Sequence, residues 1–439
     1  MQVESHVYFE NLVPLTGEVS YILFFFKRPL PLPPNPDQDL LSIQQVYRQS
    51  FAGITREVWL LAIVMLINRS GTMVLPFLTV YITQELGFSI QNAGLVSMSY
   101  GLGSVLGTVL GGHFSDRYGY YPVMFWSLTL SGFVLLGLQW VTSLFWLCLI
   151  AFLLSTVADM LRPANMSSVA LFSSPETRIR SVALVRLAIN LGWGIGPALG
   201  GVAAFYLGYK WLFWIDGLTC LFAAAFYFHF LPRSLFRVRQ SKEKEQHLEP
   251  TISVYRDWTF LEFVFWTMLS AAAFFQLLST VPVYYKENLH MDENIIGLVL
   301  GLNGFLVALL EMPVVFALEK RVKMLKVIFL GTILIGLSYW ILNWGAWIGL
   351  AYISTVVMTL GEVLTMPFAN AYSMVRSNAH NRGRYIALYA LAYSIAFIIA
   401  PLVGTQIAGA WSFAHLWYTM LLLSLISAAG FWRLQRRTD

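Results

Sequence analysis

Apolar runs of about 20 residues recur along almost the whole of this 439-residue chain, and each is long enough to cross a bilayer as one α-helix. Charged residues make up only 12% of the chain, too few to cover the surface of soluble domains of this size. The sequence therefore predicts an all-α membrane protein. Its net charge of +5 reflects basic residues on one side of a membrane and does not indicate a nucleic-acid partner.

The runs predict twelve transmembrane helices in two six-helix bundles, residues 58–231 and 257–433, joined by a charged cytoplasmic linker, 232–256. We expect residues 1–57 to form a partly disordered cytoplasmic leader and 434–439 to form a short cytoplasmic tail. The expected helix bounds, in chain order, are 58–84, 91–113, 121–141, 144–170, 180–206, 210–231, 257–284, 294–317, 324–343, 346–372, 384–409 and 412–433.

The leader carries no pattern typical of a cleavable signal sequence. Its proline-rich stretch, 28–37, favours extended and disordered chain. Residues 39–54 leave two interpretations open, an amphipathic helix lying on the membrane or an unstructured leader.

Basic residues predict the orientation of the helices. If the N-terminus lies inside, the inner loops and the tail contain almost all the loop Lys and Arg residues, and the external loops contain only Lys210 and Lys286. Because basic loops stay on the cytoplasmic side, both termini are predicted to be cytoplasmic, with the protein in the plasma membrane.

The two bundles are sequence repeats. A shift of 203 residues places Gly101 over Gly304, and the same shift pairs Asp159 with Glu362. Charges and glycines that repeat in register indicate duplicated bundles of parallel topology rather than a chance likeness between apolar runs.

A short charged stretch, residues 111–121 (GGHFSDRYGYY), separates the second apolar run from the third. Gly112, Asp116, Arg117 and Gly119 match the loop 2–3 motif G-x-L-x-D-R-x-G-R-R, so the stretch resembles the major facilitator superfamily. Phe replaces the family's leucine, and two Tyr residues replace its basic pair. We expect both glycines to allow a tight turn and close helix packing. The resemblance implies that Asp116 holds the two halves together when the cavity faces outward.

A glycine-rich stretch, GWGIGPALGG, occupies helix 5. Glycines four residues apart give a helix a flat face for close packing. The stretch resembles the superfamily's antiporter motif, G-x-x-x-G-P-x-x-G-G, which implies export; generic small-residue packing is the alternative. The matching residues are Gly192, Gly196, Pro197, Gly200 and Gly201.

Ionisable side chains deep in the apolar runs are costly unless they are paired or hydrated. Three such cations balance three anions, which favours mutual pairing around one polar interior. The cations are Arg69, Arg162 and Arg186, and the anions are Asp159, Glu311 and Glu362.

Arg69 lies near the middle of helix 1, and in the superfamily helices 1, 4, 7 and 10 line the central cavity. Two roles stay open for Arg69, binding an anionic or carbonyl group of the substrate or balancing a carboxylate. We expect Asn165, Trp193, Tyr389 and Tyr393 to line the same cavity. Asn165 belongs to an R-x-x-N sequence that partly resembles the superfamily's helix 4 motif.

Arg162 and Arg186 lie toward the cytoplasmic ends of helices 4 and 5. Asp159 and Arg162 are three residues apart and share a helix face. Pro163 should kink helix 4 just beyond them. The two arginines therefore have two possible roles, gating together with the Asp116 motif or fixed structural ion pairs.

Glu362 is the glutamate of a sequence pattern, G-E-x-x-x-x-P, that resembles one found in proton-dependent oligopeptide transporters and some drug exporters. A carboxylate in apolar surroundings is easier to protonate, so it can bind and release a proton during transport. Glu311 and Asp159 are further candidates for proton coupling. A permanently paired carboxylate is the alternative for each.

The sequence resembles the twelve-helix drug:proton antiporters of the superfamily. The resemblance implies a monomeric transporter, not an enzyme, that exports small apolar or amphipathic compounds in exchange for protons and needs no cofactor. Its expected partners are a small-molecule substrate and the lipid bilayer. Proton-coupled transport of short peptides is the alternative, and a non-transporting receptor or a membrane-embedded enzyme is a more remote one.

Overall fold

The structure is a computed structural model that describes residues 53–174, 177–231, 254–318, 321–377 and 382–438. The predicted leader and linker lie almost entirely outside this part of the chain, as does Glu319, the repeat partner of Asp116.

Twelve helices long and apolar enough to cross a membrane are present in the described ranges, without any strand there, which confirms the predicted fold class. They are α1 (Arg56–Glu85), α2 (Ile90–Tyr118), α3 (Tyr120–Leu138), α4 (Leu144–Phe172), α5 (Arg178–Leu207), α6 (Lys210–Phe230), α7 (Trp258–Glu287), α8 (Glu293–Leu318), α9 (Met324–Trp344), α10 (Gly349–Val375), α11 (Arg382–Ala410) and α12 (Phe413–Thr438).

Three of these spans are interrupted. In α1, the α-helix Arg56–Ser70 ends, and a second α-helix begins at Val74. In α4, the break falls at Met160, three residues before Pro163, because proline has no N–H to donate to the carbonyl of Asp159. In α7, a 3₁₀ turn, Phe275–Leu278, follows the first α-helix. The regular α-helical hydrogen bonding is therefore interrupted inside each of these spans.

The turn between α2 and α3 consists of Gly119 alone, which has φ 86° and a backbone N–H bonded to the carbonyl of Ser115. Residues 113–118 continue α2 because none of them is glycine or proline. The expectation that Gly112 shares in the turn or in close packing is wrong. Gly112 lies inside α2, and an added Cβ would meet no atom within 4 Å.

Successive helices alternate in direction, so the loops lie at two faces. We call the face that carries the α2–α3, α8–α9 and α10–α11 loops the basic face, and the other the opposite face.

At the basic face, Asp257 accepts hydrogen bonds from Nε and Nη2 of Arg376, each at 2.8 Å, and from the Tyr385 hydroxyl at 2.9 Å. It also accepts one from the backbone N–H of Phe260 at 3.1 Å, and so caps α7. Burial opposes ionisation, but these hydrogen bonds outweigh it and hold the pKa of Asp257 below its usual range.

The two halves pack through α5 against α8 and through α2 against α11. Glycine faces glycine along the first pair: a Cβ on Gly304 would lie 2.5 Å from the backbone nitrogen of Gly194. In the second pair, a Cβ on Gly101 would lie 3.1 Å from the Cα of Ile398. The halves therefore meet largely backbone to backbone, as small residues allow.

Polar contacts join the halves at the opposite face. The Thr79 hydroxyl donates to the carbonyl of Ser279 at 2.8 Å. The Tyr209 hydroxyl, just before α6, donates to the Glu293 carboxylate at 2.5 Å, and Lys286 pairs with the same carboxylate at 2.7 Å. We call Tyr209, Lys286 and Glu293 the latch. These contacts hold the two halves together at this face.

We expect Tyr209→Phe to favour opening of the opposite face, because it removes the hydroxyl that links the halves through the latch. A hydrogen bond to a charged group contributes about 1.5–3 kcal/mol, enough to shift two states that differ by a few kcal/mol. The measurement is thiol labelling of Ser279→Cys, which is 4% exposed, in a background lacking Cys148 and Cys220.

Tyr206→Phe is the matched control, since this tyrosine is 71% exposed one turn earlier. Equal labelling in the two phenylalanine variants would show that the latch hydroxyl does not hold this face closed.

Candidate functional site

The break in α1 places Arg69 in the last turn of its first half. Beyond the break, the backbone N–H groups of Met73 and Val74 donate to one oxygen of Asp216 on α6, at 3.3 and 3.2 Å. A carboxylate at a helix N-terminus is favourable because the unpaired N–H groups there carry partial positive charge. Asp216 therefore caps the second half of α1 from another helix.

The glycine face of α5 packs against this break. A Cβ on Gly192 would lie 2.5 Å from the Cβ of Arg69, one on Gly196 would lie 2.9 Å from the carbonyl oxygen of Thr72, and one on Gly200 would lie 2.9 Å from the Cβ of Met73. Only glycine permits this approach at these positions.

Other residues of the same motif contact the other half of the protein. A Cβ on Gly201 would meet the carbonyl of Glu293, and the carbonyl of Pro197 faces Gly297 on α8. The predicted antiporter motif thus lies between the broken α1 and α8.

Arg69 and Asp216 border a polar cavity of about 60 Å³ within the N-terminal half, which we call the chamber. Asn68, Ser131 and Cys220 also line it. The Arg69 Nε and the Ser131 Oγ are buried and have no hydrogen-bond partner in the described part of the chain. A polar cavity of this size with unpaired groups can hold a few water molecules.

Asp159 on α4 is 4% exposed and pairs with Arg162 Nε at 3.0 Å. The Arg162 side chain is 59% exposed, and both residues lie within electrostatic range of Arg69. Asn165 is buried, and its side-chain oxygen has no partner among the described residues.

Glu362 on α10 accepts a hydrogen bond from the Asn303 amide of α8 at 2.9 Å. The same amide nitrogen is 3.0 Å from the Thr359 hydroxyl. No ion pair to Glu362 occurs within the described ranges, so its only direct polar partner there is a neutral amide. Glu362 is also within electrostatic range of Glu311.

Glu311 joins the two halves in the part of the bundle nearer the basic face. It forms an ion pair with Arg186 of α5 and accepts a hydrogen bond from the Asn190 amide at 3.2 Å. Arg186 is 47% exposed and Glu311 14% exposed. This pair differs from Glu362, whose carboxylate has no cationic partner in the described part of the chain.

Aromatic rings run between the halves. Tyr100 of α2 contacts Phe397 of α11 with ring centroids 6.2 Å apart, and Phe397 contacts Phe275 of α7 at 4.9 Å. Phe275 contacts Tyr393 at 6.3 Å, and Tyr393 contacts Tyr389 at 5.1 Å. We call these five residues the aromatic row. It begins at the chamber, which Tyr100 lines, and reaches Tyr393, which lies within electrostatic range of Glu362.

Trp193 of α5 lies outside this row. It is half-buried, and its backbone packs against Gly304 of α8.

The loop motif lies at the basic face. Asp116 and Arg117 are exposed in the last turn of α2, and the Arg117 guanidinium lies 5.2 Å from the ring centre of Tyr118. No hydrogen bond or ion pair to Asp116 occurs within the described residues. The contact that the resemblance implies for Asp116 stays a prediction.

Sequence reasoning missed Asp216 and Asn303. Asp216 is 5% exposed within α6, so the expected balance of three cations and three anions is wrong. A search for every charge inside an apolar run would have found it, in the sequence WIDG. Nothing in the sequence around Asn303 distinguishes it from an amide that faces another helix.

Comparison with known proteins identifies the family. Residues 58–396, and again 282–439, match the Major Facilitator Superfamily. The chain belongs to this superfamily. It is therefore an integral membrane transporter, as the sequence predicted.

Relatives within the superfamily include transporters of several substrates. The chain is 27% identical over 395 residues, 83% of its length and 91% of the relative's, to a Na(+), Li(+), K(+)/H(+) antiporter of Planococcus maritimus. It is 26% identical over 193 residues to the multidrug resistance protein MdtG of Proteus mirabilis, covering 43% and 48% of the two chains. A solved POT family transporter in complex with 5-aminolevulinic acid shares the fold, with a TM-score of 0.72 and 14% identity over 87% of this chain and 97% of that one.

We expect Gly196→Ala to reduce transport strongly, because its methyl group would lie 2.9 Å from the carbonyl oxygen of Thr72 at the α1 break. Backbone cannot yield as a flexible side chain can. Gly137→Ala on α3 is the control: an added Cβ there would meet no atom within 4 Å, and alanine favours helix over glycine by about 1 kcal/mol. Transport rates and the amount of folded protein in detergent are measured for both. Wild-type turnover by Gly196→Ala would show that close packing of α5 on α1 is not required.

Proposed function

We propose that this transporter is a proton-coupled antiporter that exports small apolar or amphipathic compounds by alternating access. The observation that carries the proposal is the setting of Glu362. Its side chain is half-buried, has a neutral amide as its direct polar partner among the described residues and stands near one end of the aromatic row. A carboxylate without a cation beside it can exist in both protonation states, whereas one held by an arginine stays ionised.

The aromatic row suits an apolar substrate. Rings from α2, α7 and α11 offer faces and edges to a flat or aliphatic compound across the boundary between the halves. Arg69, in the chamber that Tyr100 lines, supplies a donor for one carbonyl or anionic group of that compound. The expected substrate is therefore mostly apolar with a single polar group.

This geometry supports proton exchange. Protonation of Glu362 removes a charge from the end of the aromatic row, and loss of the proton restores it. If substrate and proton each favour a different state of the cavity, the gradient of one drives the other. The names of the two relatives, a cation/H(+) antiporter and a multidrug resistance protein, support antiport and export.

A second candidate is exchange of a monovalent cation for protons, which the Planococcus relative's name favours. The peptide alternative is supported only by the pattern around Glu362, since the solved peptide transporters are too distant to indicate more than the fold. For either candidate, the basic face is taken to be cytoplasmic and the membrane to be the plasma membrane, as the loop charges predict.

We expect Glu362→Gln to abolish transport driven by a pH gradient while exchange of substrate across the membrane without a gradient continues. Glutamine keeps the shape of the side chain and its acceptor for Asn303 but cannot carry a proton. Glu85→Gln, an exposed glutamate at the opposite face, is the control and should behave as wild type.

The measurement is flux in proteoliposomes under an imposed pH gradient. Lipophilic dyes test the first candidate, and Na⁺, Li⁺ and K⁺ test the second. Accumulation of dye by Glu362→Gln at the wild-type level would remove this residue from the coupling mechanism. Proton-driven flux of the cations alone would favour the second candidate over the first.

A further inference from the structure

Two buried or partly buried carboxylates cap helices in this structure, and their surroundings differ. Asp257 caps α7 and is held by Arg376 and Tyr385. Asp216 caps the second half of α1 and forms no ion pair among the described residues. The one cap has a fixed positive partner, and the other has only backbone N–H groups and a thiol, Cys220, with its sulfur 4.0 Å away.

The groups that face Asp216 come from several helices. Arg69 of α1 is within electrostatic range, and so are Tyr100 of α2 and Cys220 of α6. The Asp159–Arg162 pair of α4 acts on Arg69 and lies beyond it. The residues that α3 contributes to the chamber are serines and leucines, and α5 contributes glycines to the break. Arg69 is therefore the cation with the strongest electrostatic effect on Asp216, although the two side chains form no hydrogen bond or ion pair with each other.

The chamber gives Asp216 a route for protons. Asp216 and the unpaired Arg69 Nε and Ser131 Oγ belong to the same polar cavity, which has room for a few water molecules. Water in such a cavity can form hydrogen bonds to these groups and carry a proton to the carboxylate. A cap enclosed in apolar packing would have no such route.

We propose that Asp216 is a second proton-binding carboxylate of the transporter and that its protonation loosens the break in α1. This inference rests on the proposed proton-coupled function and adds a site in the N-terminal half to Glu362 in the C-terminal half.

Protonation of Asp216 affects Arg69 because Arg69 lies next to the break that Asp216 caps. An ionised Asp216 accepts both N–H groups through charge-assisted hydrogen bonds, which are about twice as strong as neutral ones. A protonated Asp216 is a weaker acceptor, so the end of the second half of α1 is less firmly held. Arg69 lies just before this break, and its Cβ packs on Gly192. Proton binding at Asp216 therefore changes the position of the arginine that binds the substrate, and the proton and the substrate influence each other's binding.

Hydrogen exchange of individual amides tests the proposal in the wild-type protein without a transport assay. The amide of Val74 is bonded to Asp216, and the amide of Phe260 is bonded to Asp257. The amide of Met73 is bonded both to Asp216 and to the carbonyl of Gly71, 2.6 Å away, so Val74 is the more sensitive reporter. After correction for intrinsic exchange, we expect Met73 and Val74 to lose protection as the pH falls from mildly alkaline to mildly acidic, because Asp216 takes up a proton. Phe260 should stay protected, because the pKa of Asp257 lies below its usual range.

Asp216→Asn separates a titrating carboxylate from a fixed cap. Asparagine keeps an oxygen that can accept from the two N–H groups but cannot bind or release a proton, so for a cap that never titrates this change would leave gradient-driven transport intact. We expect instead that protection at Met73 and Val74 becomes independent of pH and that pH-gradient-driven accumulation is lost. Asp216→Glu keeps a titratable group and should restore a pH-dependent protection with a shifted midpoint.

The proposal would be overturned if protection of Met73 and Val74 in the wild-type protein did not depend on pH. It would also be overturned if Asp216→Asn transported substrate under a pH gradient as fast as the wild-type protein does. The wild-type measurement decides the question even if the asparagine variant does not fold. If protection depends on pH but no substrate flux responds to a pH gradient, the titrating cap stands and the proposed proton-coupled function fails.

Discussion

The hydrogen bonds from the start of the second half of α1 to Asp216 are the interaction on which the arrangement of the N-terminal half depends. Without this acceptor, the buried N–H of Val74 would be unpaired at a helix end inside the bundle, which is costly, and the N–H of Met73 would keep only the carbonyl of Gly71, 2.6 Å away. The break lets α5 approach α1 through Gly192, Gly196 and Gly200. It also brings Arg69 to the border of a polar chamber rather than to lipid.

Helix α5 connects this local arrangement to the whole protein. One side of it packs on the α1 break, and the other packs on α8 of the C-terminal half, where Gly201 and Gly297 approach closely. Closer to the basic face, Arg186 of the same helix pairs with Glu311 of α8. A change at the α1 break thus has a short physical path to the boundary between the halves, through packed backbone rather than through flexible side chains.

The sequence predicted the helices well because a bilayer imposes a length on every apolar run. It also drew attention to Arg69 and Glu362, because charged residues are rare inside a membrane span, and to the α5 glycines, because of their four-residue spacing. It could not predict the break in α1, since the stabilising carboxylate is more than 140 residues away in the chain. For Gly112 the sequence predicted a structural role that the structure does not show. Gly112 matches the loop motif, but a motif match does not determine where a helix ends.

The latch has a consequence for the energy of opening. Glu293 is shared between Tyr209 of the N-terminal half and Lys286 of its own half. When the halves separate, the tyrosine leaves, but the carboxylate keeps its lysine and is not left as an isolated charge. A link made only of oppositely charged residues from the two halves would expose both ions at once, with a desolvation cost to recover each time the face closed again. Here no pair of opposite charges is separated when the face opens, so ionic strength should affect its opening only weakly.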